Sequence, residues 1–221
     1  MKRRARTPTA KANKREAILN AALDEFFRKG FSAARMEDIA ALAGVSKGSV
    51  YLYFESKDKL FEALIKSITA PRLDEIETIS RMAPSFEDAV NKIAELAPDM
   101  IVRSDLDRLM KVLIGDSHNF PELVRTFRTE ILDRVLSAFT DLLTRYQQKG
   151  QIQVEDPKLA ARLVVAPIAM SGIWNAVFGG DEDASIDLSK LFRMHADALI
   201  SAFAVKSSRM KVGTMSEDFI S

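Results

Sequence analysis

The sequence predicts an all-α protein, a small N-terminal helical unit joined to a larger one, with about nine helices in all. Three observations carry that expectation. Apolar residues recur at i, i+3, i+4 and i+7 nearly throughout, the period of a helix buried on one face. No stretch alternates with period two for long enough to make a strand. Glycine (9) and proline (7) are too few for the many tight turns of an all-β chain.

Ile18, Leu19, Ala22, Leu23, Phe26 and Phe27 form a broad stripe, so residues 11–29 are expected as the first helix, with Gly30 as its stop. A short helix from Met36 to Ala43 ends at Gly44. Another follows Ser46 and ends near Phe54. Ser56 is the expected N-cap of a long helix from Lys57, which Pro71 should kink or interrupt. Pro84-Ser85-Phe86-Glu87-Asp88 opens the next helix with an acidic first turn that complements the helix dipole, and Ser104-Asp105-Leu106-Asp107 repeats the pattern. Pro121-Glu122 starts a helix of nearly thirty residues that stops at Lys149-Gly150. Asp156-Pro157 places a cap before a proline at the first helical position, a strong start signal. The last long helix runs from Asp187-Leu188 to about Val205. The expected organisation is a disordered basic arm over 1–12, a first domain over 13–60, a second over 61–205 and a disordered tail over 206–221.

Charge divides the chain in the same way. Residues 1–60 carry 13 Lys/Arg against 7 Asp/Glu, whereas residues 61–221 carry 19 against 24. The first fifteen residues hold seven basic side chains and no acidic one. A basic first quarter on an acidic body points to a polyanion-binding module attached to something else. The absence of cysteine excludes disulfides, thiolate metal sites and cysteine nucleophiles. With only His118 and His195, and each two residues from a carboxylate where a helix does not bring them face to face, no metal is expected. No cofactor is expected either, and no Gly-rich phosphate loop, nucleophile elbow or zincin motif suggests an enzyme. Leu163 to Gly180 is 18 residues without a charge, but Pro167, Ser171, Gly172 and Asn175 interrupt it. A helix buried on more than one side is the better reading, so no membrane partner is expected and the expected location is the cytoplasm.

The informative segment is Met36-Glu37-Asp38-Ile39-Ala40-Ala41-Leu42-Ala43-Gly44-Val45-Ser46-Lys47-Gly48-Ser49-Val50-Tyr51-Leu52-Tyr53-Phe54. Small Ala40 permits a close helix crossing. Gly44 suits a left-handed turn, Ser46 can cap the second helix, and Ile39, Val45 and Val50 supply apolar contacts. This is helix-turn-helix geometry, in which the second helix enters the DNA major groove by its N-terminal end. Lys47 and Ser49 are donors at that end, Gly48 removes a side chain there, and Tyr51 and Tyr53 carry hydroxyls. Lys57 stands at the next helix N-terminus, where backbone amides also favour a phosphate. The basic arm is either a solvated tail or a minor-groove strap.

Gly30-Phe31, Ile39-Ala40, the run from Ala43 to Phe54 and Lys57-Asp58-Lys59-Leu60-Phe61 together closely resemble the DNA-binding domain of the TetR family over residues 14–62. The resemblance implies an all-helical homodimer in which three N-terminal helices bind an operator and the remaining helices bind ligand and dimerise. It places DNA contacts on Arg35, Lys47, Gly48, Ser49, Tyr51, Tyr53 and Lys57. Two positions depart from the usual pattern: Ala34-Arg35 stands where Thr or Ser commonly caps the second helix, and Tyr53 replaces a frequent His. Both put transfer of a known operator sequence in doubt.

The expected partners are therefore double-stranded operator DNA, a second copy of the chain and a small apolar or amphipathic ligand. Leu159, Leu163, Ile168, Ile173, Trp174 and Val177, with Leu191, Met194, Ala198, Leu199 and Ala202, give the last two helices faces wide enough for core plus partner. Met100, Met110, Phe127, Met170 and Trp174 are the candidate ligand-binding residues, with Met82 and Phe86 as further possibilities, because flexible Met side chains adapt to varied apolar ligands. A plain core or interface role is the alternative for each. Three functions fit, in decreasing order: a ligand-released repressor, a DNA-binding protein of the same build without a small ligand (an activator or a nucleoid-associated factor), and a helical enzyme or carrier.

Overall fold

The structure is a computed structural model that describes residues 8–102 and 105–205. Its elements run α1 (Pro8–Ala33), α2 (Met36–Leu42), α3 (Lys47–Tyr51), α4 (Lys57–Met82), α5 (Phe86–Val102), α6 (Leu106–Asp116), α7 (Pro121–Phe127), a π-helical turn (Arg128–Leu132), α8 (Asp133–Gln148), α9 (Pro157–Phe178), a 3-10 turn (Glu182–Ala184) and α10 (Leu188–Phe203). α7, the π turn and α8 form one continuous rod, so the described residues make nine helical rods. Among them the only β pairing is the isolated bridge between Ile152 and Ala204.

The expected signals act where they stand. Ser46 accepts from the Ser49 amide, Ser56 from Lys59, Asp156 from Lys158 and Leu159, and Asp187 from Lys190, each satisfying amides that the first turn leaves unpaired. Gly30 breaks α1 at φ 78°, ψ 162°, and Gly44 turns the chain at φ 64°, both in the region that side chains disfavour.

Four expectations are corrected or reach past the described residues. α1 begins at Pro8, so Pro8–Ala12 are helical where a disordered arm was expected; residues 1–7 and the tail over 206–221 lie outside the described residues, as does Ser104. α4 runs unbroken through Pro71, which is exposed, so water can reach the carbonyl one turn earlier that loses its amide partner. The rod after Pro121 is a helix of the expected length but widens to a π turn at Arg128–Leu132. α9 is long and apolar enough to cross a membrane by length and composition alone, yet it packs on α6 and α8 with only one side covered.

Two main cores result. The first gathers Ile18, Phe26, Phe31, Ile39, Val50, Leu60, Phe61 and Ile65 of the first four helices, with Phe54 from the turn between α3 and α4. It continues without a break into Leu109, Val112 and Leu113 of α6 and into Leu123, Phe127 and Ile131. The second joins α4, α5, α8, α9 and α10 around Phe86, Phe139, Leu142, Leu143 and Tyr146. Tyr146 donates its hydroxyl proton to Ala83 O at 2.9 Å, and Arg145 donates to Ser80 O at 2.6 Å, so α8 closes the end of α4. The N-terminal head thus rides on α6 as well as on α4, its covalent link to the body.

Candidate DNA interface and ligand cavity

α2 and α3 cross at Ala40, which is buried with Ile39 and Val50 while Val45 packs beside them. The turn between them is tied by Val45 N donating to Ala40 O at 3.0 Å and Gly44 N to Ala41 O at 3.1 Å. This holds α3 outward. Lys47 and Tyr51, one helical turn apart, share an exposed face, with the Lys47 ammonium 5.9 Å from the Tyr51 ring centroid. Gly48 is exposed with open space around it, and Ser49 is half-buried, its hydroxyl 2.9 Å from that of Ser46. Arg35 is exposed ahead of α2 and makes no side-chain cap, so its guanidinium is available to a phosphate.

Three other features of this surface were not expected. Lys47 is paired with Glu37 of α2, across the crossing. Hydrogen bonding to Glu37 raises the Lys47 pKa, and the same bond lowers that of Glu37. Tyr53 turns inward: it packs against the head core, and its hydroxyl is buried without a hydrogen-bond partner among the described residues. Lys57 is a half-buried clamp rather than an outward phosphate ligand. Its ammonium donates to the carbonyls of Phe31 at 2.6 Å, Ser32 at 3.1 Å and Ala34 at 3.1 Å, and sits 4.5 Å from the Phe31 ring centroid. Those bonds occupy all three of its protons. Burial pulls its pKa down, against the opposing pull of Asp58 and Asp116. Lys47, Gly48, Ser49 and Tyr51 are therefore gathered on the outward part of α3 and Arg35 is exposed at the start of α2, whereas Tyr53 and Lys57 turn inward.

Below the head lies an apolar cavity of about 210 Å³. α4 supplies Ile68, Thr69, Leu73 and Ile76, and α6 supplies Leu106 and Met110. Phe127, Ile131 and Leu132 come from the rod around the π turn, a distortion that often accompanies function. Val165, Ile168 and Gly172 of α9 form the floor, and Met100 closes one end. A 150 Å³ apolar cavity holds benzene, so this one has room for a larger apolar group. Thr69 spends its hydroxyl proton on Ile65 O at 2.9 Å.

Of the candidate ligand-binding residues, Met100, Met110 and Phe127 line this cavity, and Met170 and Trp174 do not. Met170 is 60% exposed on the outer side of α9. Trp174, on the same side, donates its indole proton to Ala184 O at 2.7 Å. Helical spacing explains the difference: positions 165, 168 and 172 face inward, which turns 170, 174 and 177 out. Met82 is exposed and Phe86 belongs to the second core. The outward residues form an apolar stripe of Leu159, Leu163, Met170, Trp174 and Val177, with Met194 of α10 exposed as well. Sequence reasoning missed the α4 wall. The spacing Ile68, Thr69, Leu73, Ile76 is a readable helical stripe, but a stripe does not announce that it faces a void.

Comparison with known proteins places these features among transcription factors. A family model described as bacterial regulatory proteins, tetR family, matches residues 18–64, and one described as AefR-like transcriptional repressor, C-terminal domain, matches residues 88–206. The chain is 26% identical over 200 residues to the HTH-type transcriptional regulator YfiR of Bacillus subtilis, covering 86% of this chain and 94% of that one. It is 28% identical over 174 residues to the HTH-type transcriptional repressor BepR of Brucella suis, covering 74% and 80%. The crystal structure of a TetR-family transcriptional regulator from Mesorhizobium loti superposes with a TM-score of 0.72 at 25% identity, covering 88% of this chain and 98% of that one.

Proposed function

The chain belongs to the TetR family of DNA-binding transcriptional regulators, and we propose that it is a homodimeric repressor released from a palindromic operator by a small apolar or amphipathic ligand. The observation that carries this reading is the position of the cavity. Its walls include α4, which is continuous with the head, and α6, which packs on α1. A ligand releases DNA only if it binds the DNA-free shape more tightly than the DNA-bound one. A void lined by both supports of the head is where such a preference can arise. The likeness to a repressor, BepR, supports the direction of control.

The heads read DNA through Lys47, Gly48, Ser49 and Tyr51 at the exposed end of α3, with Arg35 on an adjoining phosphate. Lys47 leaves Glu37 on binding, exchanging one exposed ion pair for a base edge or a phosphate. Two heads require two copies, and the stripe on α9, with its neighbour on α10, is the proposed interface. A helix whose outer side carries Leu159, Leu163, Met170, Trp174 and Val177 gains by burying them against a second copy, at about 25 cal/mol per Å² of apolar surface removed from water. The two functional domains over 13–60 and 61–205 share a continuous core at α6, so ligand and DNA communicate through packed side chains as well as through α4.

The test is in two steps. Native mass spectrometry of the purified protein identifies any retained small molecule. Gel retardation on the DNA upstream of the protein's own coding sequence then measures binding with and without it. A mobility shift that the molecule abolishes supports the reading. Tight specific binding indifferent to every cavity ligand favours a regulator that works without one.

A further inference from the structure

The head and body meet at a buried carboxylate. Asp116 is the last residue of α6 and is 7% exposed. Its Oδ2 accepts a hydrogen bond from the Phe31 amide at 2.7 Å, 85 residues away in sequence. The fit is close: a Cβ at Gly30 would come within 3.2 Å of that oxygen, at a φ that already favours glycine. The carbonyl of the same Phe31 receives the Lys57 ammonium. One peptide segment is therefore held from the body side by α6 and from the linker side by α4. The Phe31 ring fixes it further, with centroids 5.3 Å from Phe26, 5.5 Å from Phe61 and 5.2 Å from Phe120.

Besides the apolar packing of Leu109, Val112 and Leu113 on the head core, the other polar ties between α6 and α1 are of a different kind. Half-buried Arg108 pairs with exposed Asp24 at 2.5 Å, and Arg108 and Lys111 lie over the exposed Phe27 ring, so these contacts are open to solvent on one side. Such contacts are screened and tolerate sliding. A buried 2.7 Å bond to one backbone amide tolerates neither. Met110, in the cavity wall, lies six residues before Asp116, about 9 Å along a helix rising 1.5 Å per residue. A rigid helix carries a push at one of these points to the other.

We propose that Asp116 is a positioning residue that sets the tilt of the DNA-reading head on the body. In the dimer this fixes the separation of the two α3 helices, and so the half-site spacing the protein accepts. Displacement of α6 by a ligand against Met110 loosens the bond and frees the head. The proposal rests on the dimeric repressor reading, and its test is chosen to fail separately from it.

Palindromic duplexes are selected from random-sequence DNA with the wild-type protein. Affinity is then measured for the selected palindrome and for versions with one base pair added or removed between half-sites. Asp116→Ala is expected to lose roughly 5–150-fold in affinity for the selected spacing and to discriminate poorly among the three. Asp116→Asn keeps an oxygen acceptor for the Phe31 amide and is expected to retain the wild-type preference. An Asp116→Ala protein with wild-type affinity and spacing preference overturns the proposal. Should that variant not fold, hydrogen exchange at the Phe31 amide is compared between wild type and Met110→Trp, which carries extra bulk from α6 itself into the cavity and against its facing walls. Exchange roughly tenfold faster in Met110→Trp supports the link, and unchanged exchange overturns it. Selection that yields no palindrome at all sinks the repressor reading instead.

Discussion

The Lys57 ammonium donates to the Phe31 carbonyl at 2.6 Å, joining the first residue of α4 to the end of α1. In doing so it satisfies carbonyls that α1 leaves unpaired at its broken end. The lysine is part of the scaffold of the head, although its position in the motif implies a phosphate ligand.

This separates two outcomes for Lys57→Met. Leaving part-buried carbonyls without a donor costs about 1–3 kcal/mol. The variant should therefore unfold at lower urea concentration, while the slope of log affinity against log salt stays at the wild-type value. A phosphate contact would instead remove roughly 0.9 from that slope per half-site. Chemical denaturation and a salt series of operator affinities distinguish the two.

Glu37 pairs with Lys47 and would compete with DNA for it on the proposed reading, so Glu37→Gln should tighten binding, most at low salt. Lys47→Ala should relax the preference among bases at one operator position, by roughly tenfold if the contact is to a base edge. Affinities for a panel of single-base operator variants measure both. Equal loss across the whole panel for Lys47→Ala would show that it touches only phosphate.

The two tyrosines should behave differently. Tyr51 is exposed beside Lys47, and Tyr51→Phe should weaken binding to all sequences about equally. Tyr53 buries a hydroxyl without a hydrogen-bond partner among the described residues, which is unfavourable. Tyr53→Phe should leave operator affinity within about twofold and raise stability by up to about 1 kcal/mol. Thermal unfolding and operator titration check the pair.

The outer side of α9 should be the dimer contact. Leu163→Asp and Met170→Asp place charges on the stripe without touching the cavity. Light scattering at micromolar concentration should show a dimer for wild type and monomer or aggregate for the variants. A stable wild-type monomer would contradict the interface.

Much of this was legible in the sequence because it rests on local chemistry. Ser46, Ser56, Asp156 and Asp187 are caps whose targets lie two or three residues away, so spacing alone reveals them. The same holds for Gly30 and Gly44. What stayed hidden depends on contacts distant in sequence. Asp116, two residues from His118, shows nothing in its neighbours that marks a contact with the head until α6 is laid against α1. Lys57 reads as a phosphate ligand until the carbonyls of Phe31, Ser32 and Ala34 appear around it. Met170 and Trp174 have the right chemistry for a pocket, but α9 is apolar on both sides, and composition does not say which side faces the void. The π turn is equally silent, since Arg128–Leu132 carries no sequence feature that sets it apart from α-helix.

On the proposed function, occupancy of the cavity between α4, α6, α8 and α9 controls operator binding. The most direct measurement is fluorescence anisotropy of labelled operator, titrated with the small molecule that native mass spectrometry finds on the wild-type protein. It is carried out on wild type and on Met110→Arg, whose side chain enters the cavity. The account predicts that the molecule lowers wild-type operator affinity by roughly 5–150-fold and leaves the affinity of Met110→Arg unchanged. Equal release of DNA from both proteins would contradict it.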